Sequence, residues 1–258
     1  MQLPAPRKGA TRMAAKLAAI LFDLDDTLFS TSDFAQRARR NAIRSMRAHG
    51  LRLDEETAFR ELGEVIAEFT SNYGNHFDKL LSRLPRETCW PGVNPAILVA
   101  AGVIGYHETK SLELRPFEDV PPVLRRLART PLVLGVVSAG LEIKQCEKLI
   151  RLGLLPHFRS DAIFISEQIG IGKPNPKLWT TACARLGVDP RAVMYVGDNP
   201  LQDIDPCNRL GMVTVRSRRG TRHNDAAGAT APTYEIRSFA ELPPILVRDF
   251  GIAVPDGD

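Results

Sequence analysis

The run AILFDLDDTLF, Ala19 to Phe29, limits what this chain can fold into more than any other stretch. Apolar residues arrive abruptly at Asp23 and Asp25, two acids set two residues apart. A short apolar run ending in acids reads as a buried strand over Ala18–Asp23 that delivers its carboxylates at the carboxyl end of a sheet. Open α/β sheets bind their ligands at that edge. Three later strand-like runs also lead to polar residues. PLVLGVV runs into Ser138, AIFIS into the loop carrying Lys173, and AVMYVG into Asp198, with Asp203 following. A chain that sends polar groups to one sheet edge so consistently reads as an enzyme.

The remaining pattern gives the fold class. From Arg115 onward, strand-like runs (PLVLGVV, AIFIS, AVMYVG, MVTVR, YEIRS) alternate with helical ones (EDVPPVLRRLAR, LEIKQCEKLIRLG, NPKLWTTACARLG, LQDIDPCNRLG, FAELPPIL). Repeated βα units predict a Rossmann-like, mostly parallel sheet flanked by helices. Between Phe29 and Arg115 the rhythm is helical only. Phe34, Ala38, Ala42 and Met46 recur at helical spacing, Asp54 offers a cap for the next helix, and helices over NHFDKLLSRL and NPAILVAAGVIGYHETKSLE follow. The reading is an all-helical domain over 31–114 inserted into an α/β domain made of 14–30 and 115–250. Hinges are expected near Ser30–Asp33 and Leu114–Phe117. The ends, 1–13 and 251–258, read as tails, the first of them disordered.

Composition narrows the partners. At 258 residues a substantial core can form. The net charge of +4 comes with arginine clusters at Arg37/Arg39/Arg40, Arg125/Arg126/Arg129 and Arg216/Arg218/Arg219/Arg222. No interleaved aromatics or reader module accompany them, so no nucleic-acid partner is expected. A small anionic substrate or a solvated face explains them. No stretch approaches the roughly 18 apolar residues of a membrane span, so no membrane is expected. Cys89, Cys146, Cys183 and Cys207 are scattered and form no CxxC pair, as in a reduced, cytoplasmic protein. The first dozen residues lack the apolar stretch of a secretory signal.

An aspartate at a strand end can cap a helix, bind a metal or attack an electrophile. Chain order brings Asp23, Asp25, Asp198 and Asp203 to carboxyl ends of one sheet. Gathered carboxylates repel, so they call for a counter-ion. A hard divalent cation with oxygen ligands, most simply Mg²⁺, suits them, and no histidine has ligand-like spacing for zinc. Ser138 stands where a strand turns into a helix beginning near Leu141, with Ala139 and Gly140 allowing close approach. Its hydroxyl and the neighbouring amides suit phosphoryl oxygens, and equally an N-cap. Lys173, between Gly170 and Gly172 on one side and Pro174 and Pro176 on the other, suits neutralising a transferring phosphoryl group, or is a solvated loop charge. GIGKPNP lacks Walker A spacing.

These elements together resemble the haloacid dehalogenase-like (HAD) superfamily. Its four motifs correspond to DLDDTLF at Asp23–Phe29, Ser138 in VVSAG, Lys173 in GIGKPNP, and GDNPLQD at Gly197–Asp203. The helical insertion is similar to a C1 cap, and the RRNAI helix to an archaeal-type phosphatase-like subfamily. Ser138 replaces a common Thr and keeps the hydroxyl, while Pro206 and Cys207 replace a more usual Gly-Ala. The resemblance implies that Asp23 is a nucleophile forming an aspartyl-phosphate and that Asp25 is the acid and then the base. Ser138 and Lys173, with the Ala139 and Gly140 amides, would hold the phosphoryl group. Mg²⁺ would be held by Asp23, the Asp25 carbonyl and Asp198, with Asp203 as a nearby or water-mediated ligand.

The implied reaction is Mg²⁺-dependent hydrolysis of a small-molecule phosphate monoester. An Asp two residues after the nucleophile disfavours dehalogenation, since a departing halide needs no proton. Phosphonate cleavage would need a cap lysine, and neither Lys79 nor Lys110 resembles that pattern. A sugar-phosphate mutase is the main alternative. A purely binding module would be expected to have lost one of these residues, and none is lost. A cap of this type covers the leaving group, which makes Arg37, Arg40 and Asn41 candidate substrate contacts. Phe34, Tyr73, His76, Tyr106, His107 and Lys110 are further ones. The partner is a small phosphorylated metabolite, and the chain is a monomer or a homodimer.

Overall fold

The computed structural model describes residues 16–219 and 223–256. The tail 1–13, Arg222 and the last two residues lie outside them. The chain forms two compact units, residues 33–114 and the remainder.

The first strand, β1 (Ala19–Phe22), is fully buried. Asp26 follows it in the left-handed region, φ 57°, a conformation Asp tolerates better than most residues. Its carboxylate accepts hydrogen bonds from the Ser32 amide (3.1 Å) and hydroxyl (3.0 Å). That caps a helix earlier than the sequence suggests. The stretch expected as a hinge at 30–33 runs directly into α1 (Thr31–Ala48).

The helical unit continues with α2 (Glu55–Phe69), α3 (His76–Arg83) and α4 (Pro95–Glu113). Asp54 caps α2 by accepting from the Thr57 amide, and Asn94 caps α4 through the Ala96 amide. Ile43, Met46, Leu62, Leu80 and Leu98 form the unit's apolar centre. The glycines of α4 have a packing reason. A Cβ on Gly105 would stand 2.8 Å from the Asn41 carbonyl oxygen, so α1 and α4 approach closely only with hydrogen there.

The other unit continues with α5 (Val120–Leu127), β2 (Val133–Ser138), α6 (Glu142–Arg151), β3 (Ile163–Ile165) and a single turn α7 (Ser166–Ile169). Then come α8 (Lys177–Leu186), β4 (Val193–Gly197), α9 (Asp205–Arg209), β5 (Val213–Ser217), β6 (Tyr234–Ile236) and α10 (Leu242–Phe250). The helix expected over LQDIDPCNRLG is split: Pro200–Ile204 is a π-helical turn and only Asp205–Arg209 is α-helical. The widened turn holds Asp203, and π turns recur at functional sites. The six strands are ordered β3-β2-β1-β4-β5-β6, with every pairing parallel. This is the doubly wound arrangement whose strand order reverses beside β1. Asp23 and Asp198 follow the two strands that meet at that reversal.

Candidate active site

Register places the polar residues side by side. β1 pairs with β4 as Phe22↔Val196 and with β2 as Phe22↔Val136, so Asp23, Asp198 and Ser138 leave neighbouring strands at one edge. Oxygens of Asp23, Asp198 and Asp203 all lie within 4.8 Å of one another, the one group of metal-ligating side chains among the described residues. All three are buried. Gly197 makes this possible: a Cβ there would stand 2.7 Å from the Asp203 carboxyl carbon.

Burial and mutual repulsion set the chemistry of these acids. Asp23 is pushed up to about 7 by burial and by Asp203 and Asp25, against the pull of Lys173. Asp198 is pushed up to about 9 by burial, then by Asp23 and Asp203. Acids that resist ionising at neutral pH for want of positive charge, with oxygen donors only, are the donor set a hard divalent cation requires. The site is consistent with binding a divalent metal.

Lys173 is the cation already present. Its side chain is 3% exposed, and its ammonium donates to Asp23 Oδ1 (2.5 Å) and Asp203 Oδ1 (2.7 Å). A third contact, to the Tyr195 hydroxyl, is 2.8 Å. That hydroxyl lies 3.1 Å from Asp203 Oδ1 and 3.2 Å from the Val137 carbonyl oxygen. The two carboxylates outweigh burial and hold the ammonium above its ordinary value. The loop is no solvated charge. Lys173 is a buried cation matched to two buried acids.

Ser138 is 1% exposed and its Oγ has no hydrogen-bond partner among the described residues. A buried hydroxyl without a partner suits a ligand atom. The Gly140 amide, expected to face a phosphate, instead donates to Ser166 Oγ at 3.0 Å. The Glu142 amide opening α6 is taken by Glu167 at 2.6 Å. Both acceptors sit on α7, the turn that the sequence pattern did not reveal.

Asp25 stands apart from the three-carboxylate group. Its side chain is gripped by Lys148, Gln145 and Thr31. Burial pushes its carboxyl up, but the Lys148 charge and the three residues' hydrogen bonds outweigh that and hold it below its ordinary value. Tyr195, Gln145 and Lys148 went unnoticed in the sequence. Tyr195 reads as one more apolar strand residue, and the other two as the polar face of an amphipathic helix.

The residues expected to contact substrate from the helical unit have partners within that unit. Arg37 pairs with Glu113 (2.7 Å) and Arg40 with Glu56 (2.5 Å), while Asn41 donates to Thr109 Oγ1 (3.0 Å). Phe34 packs edge-on against Tyr106, and Tyr73 against His76. No helix among the described residues is long and apolar enough to cross a membrane.

Comparison with known proteins agrees with this geometry. Residues 17–211 match a family described as haloacid dehalogenase-like hydrolase. The chain is 50% identical over 207 residues to a glyceraldehyde 3-phosphate phosphatase of Methanopyrus kandleri, covering 79% of this chain and 85% of that one. It is 40% identical over 226 residues to the protein of the same name from Methanocaldococcus jannaschii, covering 88% and 95%. Among solved structures it is similar to a HAD phosphatase from Thermococcus onnurineus, at 26% identity and TM-score 0.61, covering 89% and 98%.

Proposed function

The chain belongs to the haloacid dehalogenase-like hydrolases and is a phosphoric monoester hydrolase of that family, and from that premise we propose that it works through an aspartyl-phosphate on Asp23. The observation that carries this reading is the buried group of Asp23, Asp198 and Asp203 with Lys173 bridging Asp23 and Asp203.

Asp23 Oδ attacks phosphorus and the bond to the leaving oxygen breaks, with Asp25, which must first take up a proton against the pull of Lys148, giving that oxygen its proton. Water then attacks phosphorus, the bond to Asp23 breaks, and Asp25 takes the water's proton. Lys173 balances negative charge on the phosphoryl group at a site closed to solvent, where such charge counts for more than in water. The unpartnered Ser138 hydroxyl donates to a phosphoryl oxygen. Asp23, Asp198 and Asp203, with the Asp25 carbonyl, would hold Mg²⁺ as the cofactor. When bound, it screens the repulsion between an anionic nucleophile and an anionic ester.

For the substrate we assign a small three-carbon aldehyde phosphate such as glyceraldehyde 3-phosphate. Support comes from five relatives of that name, at 39–50% identity. Arg37, Arg40 and Asn41 would bind it with side chains that already contact Glu113, Glu56 and Thr109. The test is turnover of glyceraldehyde 3-phosphate in heavy-oxygen water with Mg²⁺. Hydrolysis releases inorganic phosphate carrying one solvent oxygen. Transfer of the phosphoryl group within the substrate, with none released, would instead identify a mutase.

A further inference from the structure

The peptide that joins Ala139 to Gly140 is held at both ends by side chains. Its carbonyl oxygen accepts from the Gln145 amide at 2.6 Å, and its N–H donates to Ser166 Oγ at 3.0 Å. Gly140 sits at φ 140°, and a Cβ there would stand 2.6 Å from the Gln145 amide nitrogen, so the turn requires glycine. This turn directly follows Ser138, whose buried hydroxyl has no partner among the described residues.

Ser166 reaches the turn because β2 and β3 run side by side. Ser138 pairs with Ile165, so Ser166 leaves the neighbouring strand one residue further along. The same residue closes the next loop. Its carbonyl oxygen accepts from the Gly170 amide at 2.9 Å and the Ile171 amide at 3.1 Å, at the start of the segment that carries Lys173. Ser166 therefore ties two loops, one with its side chain and one with its backbone. Its neighbours add to the first tie. α6 opens on Leu141, which has no side-chain oxygen to cap the helix, and Glu167 accepts from the Glu142 amide at 2.6 Å in its place. Gln168 donates to Glu142 Oε1 at 3.0 Å. Three consecutive side chains of α7 thus bond residues 140 and 142.

We propose that Ser166 is a positioning residue for the phosphoryl group. By holding the Gly140 amide it fixes the turn after Ser138, so that the Ser138 hydroxyl and the Ala139 amide meet phosphoryl oxygens in one arrangement. The inference rests on the phosphate role given to Ser138 above. Donors fixed beforehand cost no reorganisation when the anion arrives. A turn without the Ser166 bond would have to be ordered by the phosphate itself, and that ordering would weaken binding.

The test is the inhibition constant of inorganic phosphate against hydrolysis of 4-nitrophenyl phosphate with Mg²⁺ present. It compares the parent, Ser166→Ala, Ser138→Ala and the double variant. Ser166→Ala is expected to weaken phosphate by about 3- to 10-fold, the worth of one hydrogen bond. Ser166→Thr, which keeps the hydroxyl, should stay within about twofold of the parent. In the double variant the loss should be smaller than the product of the two single losses, because both residues serve the same contact. A serine that only braces the fold would leave phosphate affinity unchanged, or give a loss that multiplies with that of Ser138→Ala. Either result, or tighter phosphate binding by a released Gly140 amide, would overturn this inference and leave the phosphatase reading standing. Unchanged phosphate affinity in Ser138→Ala would remove the role of Ser138 and the inference together. If Ser166→Ala does not fold, Ser166→Cys, whose sulfur is a weak acceptor, decides the matter by the same ratio.

Discussion

The sheet edge and the helical unit use the same kinds of charge in opposite ways. At the edge, Lys173 and its carboxylates are at most 8% exposed by side chain, and each contact excludes water. In the helical unit, Arg37–Glu113, Arg40–Glu56, Arg44–Glu55 and Arg83–Glu68 pair along the surface, where solvent screens them. Buried acids without enough positive charge shift their proton affinities and bind cations. Burial, and not the number of charged residues, separates a reactive group from a surface one.

Removing the buried cation should produce the largest effect. Lys173→Met leaves Asp23 and Asp203 buried without their shared partner, so stability should fall by about 3–5 kcal/mol. Phosphate release should drop by at least about 100-fold. Denaturant unfolding and steady-state kinetics check both. A variant as stable as the parent would erase the contrast between the two regions.

The pH dependence of the metal-free protein sharpens the same contrast. Asp23 and Asp198 rise from an ordinary value of 3.8 to about 7 and about 9. Between those limits the folded state holds protons that the unfolded state has released. Stability therefore falls as pH rises through the window. Added Mg²⁺ should recover the loss, most strongly near the upper end. Thermal melts between pH 5 and 9, with EDTA or with Mg²⁺, measure it, and flat melts in EDTA would contradict it.

A smaller effect is expected at Tyr195. Tyr195→Phe removes the hydroxyl contacting Lys173 and Asp203, at a cost of about 1–2 kcal/mol. The surface pairs should matter least. Arg83→Ala and Arg44→Ala should leave the melting temperature unchanged within error. A large loss of stability in either would show that the helical unit's charges are structural after all.

The strands, the alternation after Arg115 and the all-helical stretch were legible because apolar periodicity records burial directly. Asp23, Asp198, Asp203, Lys173 and Ser138 could be read because each follows a strand or sits in a glycine- and proline-bounded loop. Gln145, Lys148 and Tyr195 could not, because helix and strand periodicity disguises residues that face a site from inside a regular element. The π turn at Pro200–Ile204 and the short α7 also left no trace in the pattern. The short α7 is tied to a distant segment by Glu167 with the Glu142 amide, and the π turn is capped by Asn199, whose side chain accepts from the Leu201 and Gln202 amides. The helix start at Thr31 depends on Asp26, whose carboxylate caps the helix from outside the periodic run.

The most direct measurement is phosphate release from glyceraldehyde 3-phosphate by the full chain and by Asp23→Asn, each with Mg²⁺ and with EDTA. The account predicts release that requires the metal and disappears in Asp23→Asn. Release that persists in freshly prepared Asp23→Asn, free of deamidated protein, would contradict the assignment of Asp23 as nucleophile.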